Sequence, residues 1–268
     1  MEQKTISIVI PVFNEEKAVK GLVEAVLGSG LASEVICVND GSSDSTQKIL
    51  ESFGGKITLI DLKRNHGKGF ALVVGVRKAK GEIIVFLDAD LLNLKKDHLE
   101  KLIAPLLANQ AEVVLAKISL SPSSNFEPSL PFTGQRAYWR KDLLPHLKQM
   151  AKTRYGVEVY LNEVFKKKRV RAIKLKGLYY LQKRKKMDLS SLPFVYLAQT
   201  WEIGKTLAGI EKTKLKKNGL LLDRKDSFKL TDSPKILKKL KSLKLKDQSF
   251  SYRQLVEMFK NWSADKKN

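Results

Sequence analysis

The chain has 268 residues, of which 43% are apolar and 29% charged, and a formal net charge of +22 at neutral pH. This is enough apolar sequence to bury a core, and it excludes collagen-like, mucin-like and wholly disordered chains. The lone Cys37 cannot form an internal disulfide, and no apolar run reaches the ~18 residues that a membrane-spanning helix needs.

In chain order, the front half alternates strand and helix patterns. Residues 6–10 are β-branched except for Ser7 and stop at Pro11, as a buried strand does. Residues 15–27 show helical spacing, with Val19, Leu22, Val23 and Val26 on one face and Gly28-Ser29-Gly30 as the stop. A second strand is expected over 34–39, then a turn at Asp40-Gly41-Ser42-Ser43 and a helix capped by Asp44 or Ser45 that runs to about Phe53. A strand over 56–62, a helix over 68–79 and a strand over 82–87 follow, the last directly before Asp88-Ala89-Asp90. A helix near 98–107 and a strand over 112–120 complete the pattern. Residues 121–131 read as a Pro- and Ser-rich loop, and 132–162 as a turn mixed with helical stretches. Residues 133–140 are expected to put Arg136 and Arg140 on one helix face, where two guanidinium groups can grip a phosphate. Two solvated arginines are the alternative.

Strand-helix units at this spacing imply an α/β fold with a mostly parallel sheet and helices on both faces. Ligands of such sheets bind beyond the carboxyl ends of the strands. Those ends carry Asn14-Glu15-Glu16, Asn39-Asp40-Gly41 and Asp88-Ala89-Asp90, so three polar clusters should converge on one edge. Carboxylates at i and i+2 point the same way from an extended chain, so Asp88 and Asp90 can share a divalent cation bridged to a diphosphate; an acidic solvated turn is the alternative. Asp40 can accept hydrogen bonds from a base or ribose, and Gly41 permits close backbone approach. Asn65-His66-Gly67-Lys68-Gly69 opens a helix, whose backbone amides together with Lys68 can steady a phosphate. It lacks the spacing of a P-loop, and Gly28-Ser29-Gly30 follows a helix, so neither is a nucleotide-binding fingerprint. His66, His98 and His146 lack zinc spacing; surface or helix-cap roles are expected, with His66 beside the phosphate-facing loop.

Taken together, residues 10–16, 39–44, 67–69 and 86–91 resemble the family 2 glycosyltransferases of the GT-A fold, over roughly residues 5–118. The resemblance implies a UDP- or GDP-sugar donor and Mn²⁺ or Mg²⁺ as cofactor. It places Pro11, Asn14, Glu16, Asp40, Gly41 and Lys68 at the nucleotide sugar, with Asp88 at the ribose or diphosphate and Asp88 and Asp90 at the metal. Asn39 departs from the pattern, since many relatives carry Asp there. Leu92 is a second departure, where polyprenyl-phosphate relatives often carry a polar residue; either Asn93 substitutes for it or nothing does. Residues 133–140 and 155–159 are similar to two branches, the dolichyl- or polyprenyl-phosphate sugar synthases and the glucosyl-3-phosphoglycerate synthases. Both take phosphorylated acceptors, which implies acceptor contacts from Gln135, Arg136 and Arg140. Glu158 is the candidate base if the nucleophile is a hydroxyl, or an orienting partner of Arg136; an ionised phosphate needs no base.

The charge is uneven. Residues 1–133 hold 15 basic and 16 acidic side chains, so residues 134–268 carry the whole excess. The expected organisation is a catalytic domain over 1–180 and a basic, Lys-rich, mainly helical extension over 181–268. Leu192 to Leu207, with Trp201, has the make-up of an interfacial helix on an anionic membrane, or of a helix packed on the domain. Nucleic acid has only charge in its favour and no motif. The expected activity is hexosyl transfer to a polyprenyl phosphate at the membrane surface. The alternatives are a soluble synthase acting on a small phosphorylated acceptor such as 3-phosphoglycerate, and a non-catalytic sugar-nucleotide or nucleic-acid binding protein. Met1-Glu2-Gln3-Lys4 does not read as a signal peptide, so the expected address is the cytoplasm, with a peripheral position on the membrane.

Overall fold

Residues 4–119 and 133–181 are described by a computed structural model of the chain. The first strand, β1 (Ile6–Val12), alternates its side chains between two helical layers. Ile8, Ile10 and Val12 share a core cluster with α1 (Val19–Gly28) and α4 (Lys96–Leu107), while Val9 lies against Gly75 of α3 (Lys68–Lys78) on the opposite face, in a cluster that also holds α7 (Val157–Phe165). The chain also forms the short helices α2 (Thr46–Glu51) and α6 (Leu147–Met150). Being buried on both faces explains why β1 reads as a nearly continuous apolar run, broken by Ser7, instead of alternating with polar residues.

Beside β1 lie β2 (Glu34–Asn39) and β4 (Ile83–Phe86), both parallel to it, and β3 (Thr58–Asp61) extends the sheet parallel to β2. Beyond β4 the sheet changes sense. β7 (Arg136–Trp139) runs antiparallel between β4 and β6 (Val113–Ser119), and β8 (Val170–Tyr180) pairs parallel with β6. The two-residue β5 (Leu91–Leu92) closes antiparallel on the end of β8, giving the order β3-β2-β1-β4-β7-β6-β8-β5. The expected mostly parallel α/β sheet with helices on both faces is what the chain forms.

Two expectations fail. Residues 136–139 form a strand and not a helix, so Arg136 and Arg140 share no helix face. Arg136 lies fully buried opposite Phe86 and Leu115, while Arg140 begins the short α5 (Arg140–Leu143) and donates its backbone N–H to Glu82 O at the start of β4. β8 and β5 were not read from the sequence at all. β8 alternates apolar residues with Arg171, Lys174 and Lys176 and turns much of its first half to solvent, which masks its strand pattern. The extension beyond Leu181, including residues 192–207, lies outside the described residues, as does the loop over 121–131. Among the described residues no helix is long and apolar enough to cross a membrane.

Candidate active site

Because β1, β2 and β4 are parallel and adjacent, their carboxyl ends come out on one edge. The loops after β1 and β2 are laced together there. Asn14 adopts φ 54°, a left-handed conformation that asparagine tolerates. Its backbone N–H donates to Ser42 Oγ at 2.9 Å, and its Oδ1 accepts from Ser43 N at 2.8 Å. Thr46 Oγ1 accepts from Glu15 N at 2.8 Å, and Glu16 Oε2 accepts from Ser45 N at 3.1 Å. α1 therefore starts at Val19 and not at Glu15, since residues 14–16 serve this loop pair. Pro11 sits in β1 beside Val38, half-buried.

Asn39 has a physical reason in the structure. Its Nδ2 donates to Asp61 Oδ1 at 2.6 Å, across the β2–β3 pair, and its Oδ1 accepts from Ser42 Oγ at 2.5 Å. A carboxylate at 39 would face another carboxylate.

Asp40 is buried at 3% exposure and pins the loop before α3. Its Oδ1 accepts from His66 N at 2.8 Å and its Oδ2 from Gly67 N at 2.7 Å. Burial pushes its carboxyl above the usual range against the opposing pull of those two N–H groups. Two amides of the expected phosphate cradle, those of His66 and Gly67, thus already serve Asp40. The glycines of Gly67-Lys68-Gly69 are explained by packing. A side chain at Gly67 would meet Arg154 Cβ at 2.9 Å, and one at Gly69 would meet Met150 O at 2.5 Å. Gly41 (φ 71°) likewise lies against the Arg64 backbone.

Lys68 is the centre of the site. Its ammonium pairs with Asp88 Oδ1 at 2.5 Å and Glu158 Oε1 at 2.5 Å, with all three side chains 10–21% exposed. Burial alone would push the ammonium down; Asp88 and Glu158 outweigh it and hold it above the usual lysine range. Glu158 reaches this point from the first turn of α7, where negative charge suits the helix dipole. The Glu158–Arg136 contact is to the Glu158 backbone carbonyl, at 3.4 Å from Arg136 Nη1. Arg136 also donates from Nε to Thr133 O at 2.6 Å and from Nη1 to Asn162 Oδ1 at 2.8 Å. A buried guanidinium needs such partners.

On its other side, Asp88 Oδ2 accepts from Gln135 Nε2 at 2.9 Å. Tyr180 was missed by sequence reasoning, since nothing local to it signals a site. Its hydroxyl donates to Gln135 Oε1 at 3.0 Å. Burial, then the charges of Asp88, Asp90 and Glu158, hold its phenol well above the usual range. Asp90 is half-buried, and its backbone O accepts from Leu181 N at 2.8 Å. Asn93 (φ 62°) donates from Nδ2 to Gly177 O at 2.7 Å, which ties it to β8. His98 is a buried helix cap: Nδ1 accepts from Lys95 N at 3.2 Å, and Nε2 lies 3.0 Å from Lys176 O. His66 stacks on Phe70 at 4.6 Å.

Arg140 does not join the cluster. It starts from the amino end of β4, whereas Asp88 follows the carboxyl end, roughly 20 Å away along an extended chain.

The donor set can be tested against a divalent cation. Among the described residues no cluster of three or more His, Cys, Asp or Glu is arranged to hold a metal by itself. Both Asp88 oxygens are engaged, by Lys68 and by Gln135. Asp90 offers hard oxygen donors beside them, and Mg²⁺ commonly takes one or two carboxylates plus substrate phosphates. The residues fit a divalent cation that arrives with a diphosphate, which Asp90 would help to hold.

The carboxyl edge of the sheet thus gathers Lys68, Asp88, Glu158 and Gln135 in one cluster. The model of Glycosyl transferase family 2 matches residues 7–168, and the chain belongs to that family. It is similar to an undecaprenyl-phosphate 4-deoxy-4-formamido-L-arabinose transferase of Pectobacterium carotovorum subsp. carotovorum (strain PC1), 38% identical over 98 residues that cover 34% of this chain and 30% of that protein. A 4,4'-diaponeurosporenoate glycosyltransferase of Staphylococcus aureus (strain bovine RF122 / ET3-1) is 36% identical over 105 residues, covering 37% and 28%. The match thus spans under a third of these relatives. Among solved structures, glucosyl-3-phosphoglycerate synthase of Mycobacterium tuberculosis, in complex with Mn²⁺, UDP and glucosyl-3-phosphoglycerate, superposes with a TM-score of 0.59 at 24% identity, over 77% of this chain and 79% of that one. This likeness shows the GT-A fold.

Proposed function

We infer that the protein transfers a glycosyl group, read from the sequence as a hexosyl, from a UDP- or GDP-sugar to the phosphate of a polyprenyl phosphate. The observation that carries this reading is the Lys68–Asp88–Glu158 cluster beside Asp90 at the carboxyl edge of the sheet. Family membership and the undecaprenyl-phosphate relatives support the donor and acceptor classes.

In this reading Asn14, Glu16, Asp40 and Gly41 shape the nucleotide side of the edge. Asp88 fixes the donor, and Asp90, with Asp88 close to it in sequence, would hold Mn²⁺ or Mg²⁺. That ion would supply positive charge to the departing diphosphate. The bond from the anomeric carbon to the diphosphate oxygen breaks, and a bond to an acceptor oxygen forms. Lys68 keeps Asp88 and Glu158 at fixed separation, so the two substrates meet in one orientation. Glu158 gives one carboxylate oxygen to Lys68, and an acceptor that brings its own ionised phosphate oxygen needs no base. The excess charge of residues 134–268 suits a peripheral position on an anionic membrane.

The test is a panel of UDP- and GDP-sugars with Mn²⁺, read by nucleoside diphosphate release. Undecaprenyl phosphate in anionic vesicles is supplied to one series and 3-phosphoglycerate to the other. Turnover is expected with the lipid phosphate. Turnover with 3-phosphoglycerate alone would move the acceptor to the soluble class, and inertness with every donor would favour a binding protein. Vesicle flotation checks the membrane contact separately.

A further inference from the structure

We propose that Gln135 is a positioning residue that aims Asp88 through a buried chain of hydrogen bonds anchored on β6 and β8, and that it makes no contact with the acceptor. The proposal rests on the reading that Asp88 meets the donor.

The side chain of Gln135 is fully buried, and its amide is committed on both sides. Nε2 donates to Asp88 Oδ2 at 2.9 Å. Oε1 accepts from Tyr180 OH at 3.0 Å, and on its other side it lies 3.0 Å from Thr133 Oγ1, whose single hydrogen it shares with Ala116 O. A flipped amide would set Oε1 against the Asp88 carboxylate, so the network itself dictates the orientation.

Each anchor is fixed independently. Thr133 Oγ1 also lies 2.5 Å from Ala116 O, and Gln135 O accepts from Ala116 N at 3.0 Å, which ties the segment to β6. Tyr180 pairs with Leu91 across β5 and β8, and the next residue, Leu181, donates its N–H to Asp90 O at 2.8 Å. The strand that holds Tyr180 therefore also holds the residue two places beyond Asp88. Gly134 completes the fit, because any side chain there would collide with the Asp88 carboxylate. With Lys68 on Oδ1 and Gln135 on Oδ2, the rotation of the carboxylate is set from both sides. A group held this way loses little ordering entropy when the donor arrives.

The experiment is a double-mutant cycle of Gln135→Leu and Asp88→Asn in the full-length protein, with Tyr180→Phe as a milder variant and thermal melting as the folding control. Gln135→Leu should lower kcat/KM for the donor by about tenfold to a hundredfold and leave the acceptor KM unchanged. Its effect should largely vanish in the Asp88→Asn background, since it acts through that residue. Tyr180→Phe should show a smaller loss of the same kind. A raised acceptor KM with unchanged donor kcat/KM, or losses that add in full, would overturn the proposal. A readout independent of turnover is the side-chain amide resonance of Gln135, expected to be protected from exchange and to move on Asp88→Asn. Its failure to move would overturn the proposal even in an active enzyme. A chain inert towards every donor whose resonance still moves would sink the functional reading and leave the Gln135–Asp88 contact standing.

Discussion

Replacing Lys68 by methionine keeps the stem of the side chain and removes its ammonium, leaving Asp88 and Glu158 facing each other with their nearest oxygens within about 5 Å. Both carboxylates are largely buried, so water does little to screen them. Removing one partner of such a buried cluster costs about 3–5 kcal/mol. The half-exposed Lys101–Asp97 pair, at 3.0 Å, is worth about 0–1 kcal/mol and serves as the comparison. Lys68 titrates above its unfolded value, so its contribution is complete below the ordinary lysine range and is lost only as pH rises through the raised folded value. The deficit should therefore be level across neutral pH. Urea unfolding of Lys68→Met and Lys101→Met at pH 7 measures the difference. The triple variant Lys68→Met, Asp88→Asn, Glu158→Gln should regain much of the loss, because the cost lies in charges left without a counter-ion. A loss for Lys68→Met no greater than for Lys101→Met, or a triple variant no more stable than the single one, would refute this account.

Gly134→Ala should cut turnover about a hundredfold by displacing Asp88, whereas Gly21→Ala, in open space on α1, should raise stability by about 0.5–1 kcal/mol. Initial rates and melting temperatures separate the two. Asn39→Asp should cost about 1 kcal/mol through like charges across β2 and β3, and adding Asp61→Asn should restore it in urea melts. The Glu112 carboxyl is held down to about 2, first by the hydrogen bond from Lys168 and then by Arg169 N–H. Its stabilisation should be present above the ordinary glutamate range and fade as pH falls through that value; an NMR titration midpoint at the ordinary glutamate value would contradict this. Arg140→Ala, at the far edge of the sheet, should leave the acceptor KM within about a factor of two of wild type.

The parallel core and the edge where its loops meet are legible in local patterns alone. The second strand falls on residues 34–39 as its pattern predicts, and the third helix starts at Lys68 after Gly67. Such elements are legible because apolar periodicity and glycine stops are local properties. Asp88, Asp90 and Lys68 were also legible, since a strand end announces which edge its next residues occupy. What each does there was decided only by the tertiary structure. Arg136 reads as a solvated or phosphate-binding charge, yet it is buried in β7, because its partners Thr133 O, Asn162 and the Glu158 carbonyl come from a turn and a helix up to 26 residues away. Asp40 looks like a nucleotide ligand and spends both oxygens on the loop before α3. Tyr180 carries no local signal and reaches the site because β8 pairs with β6 and returns its end to β5. Periodicity records which face of an element is apolar; it holds no record of which distant strand will supply the partner of a buried charge, and that pairing decides the chemistry here.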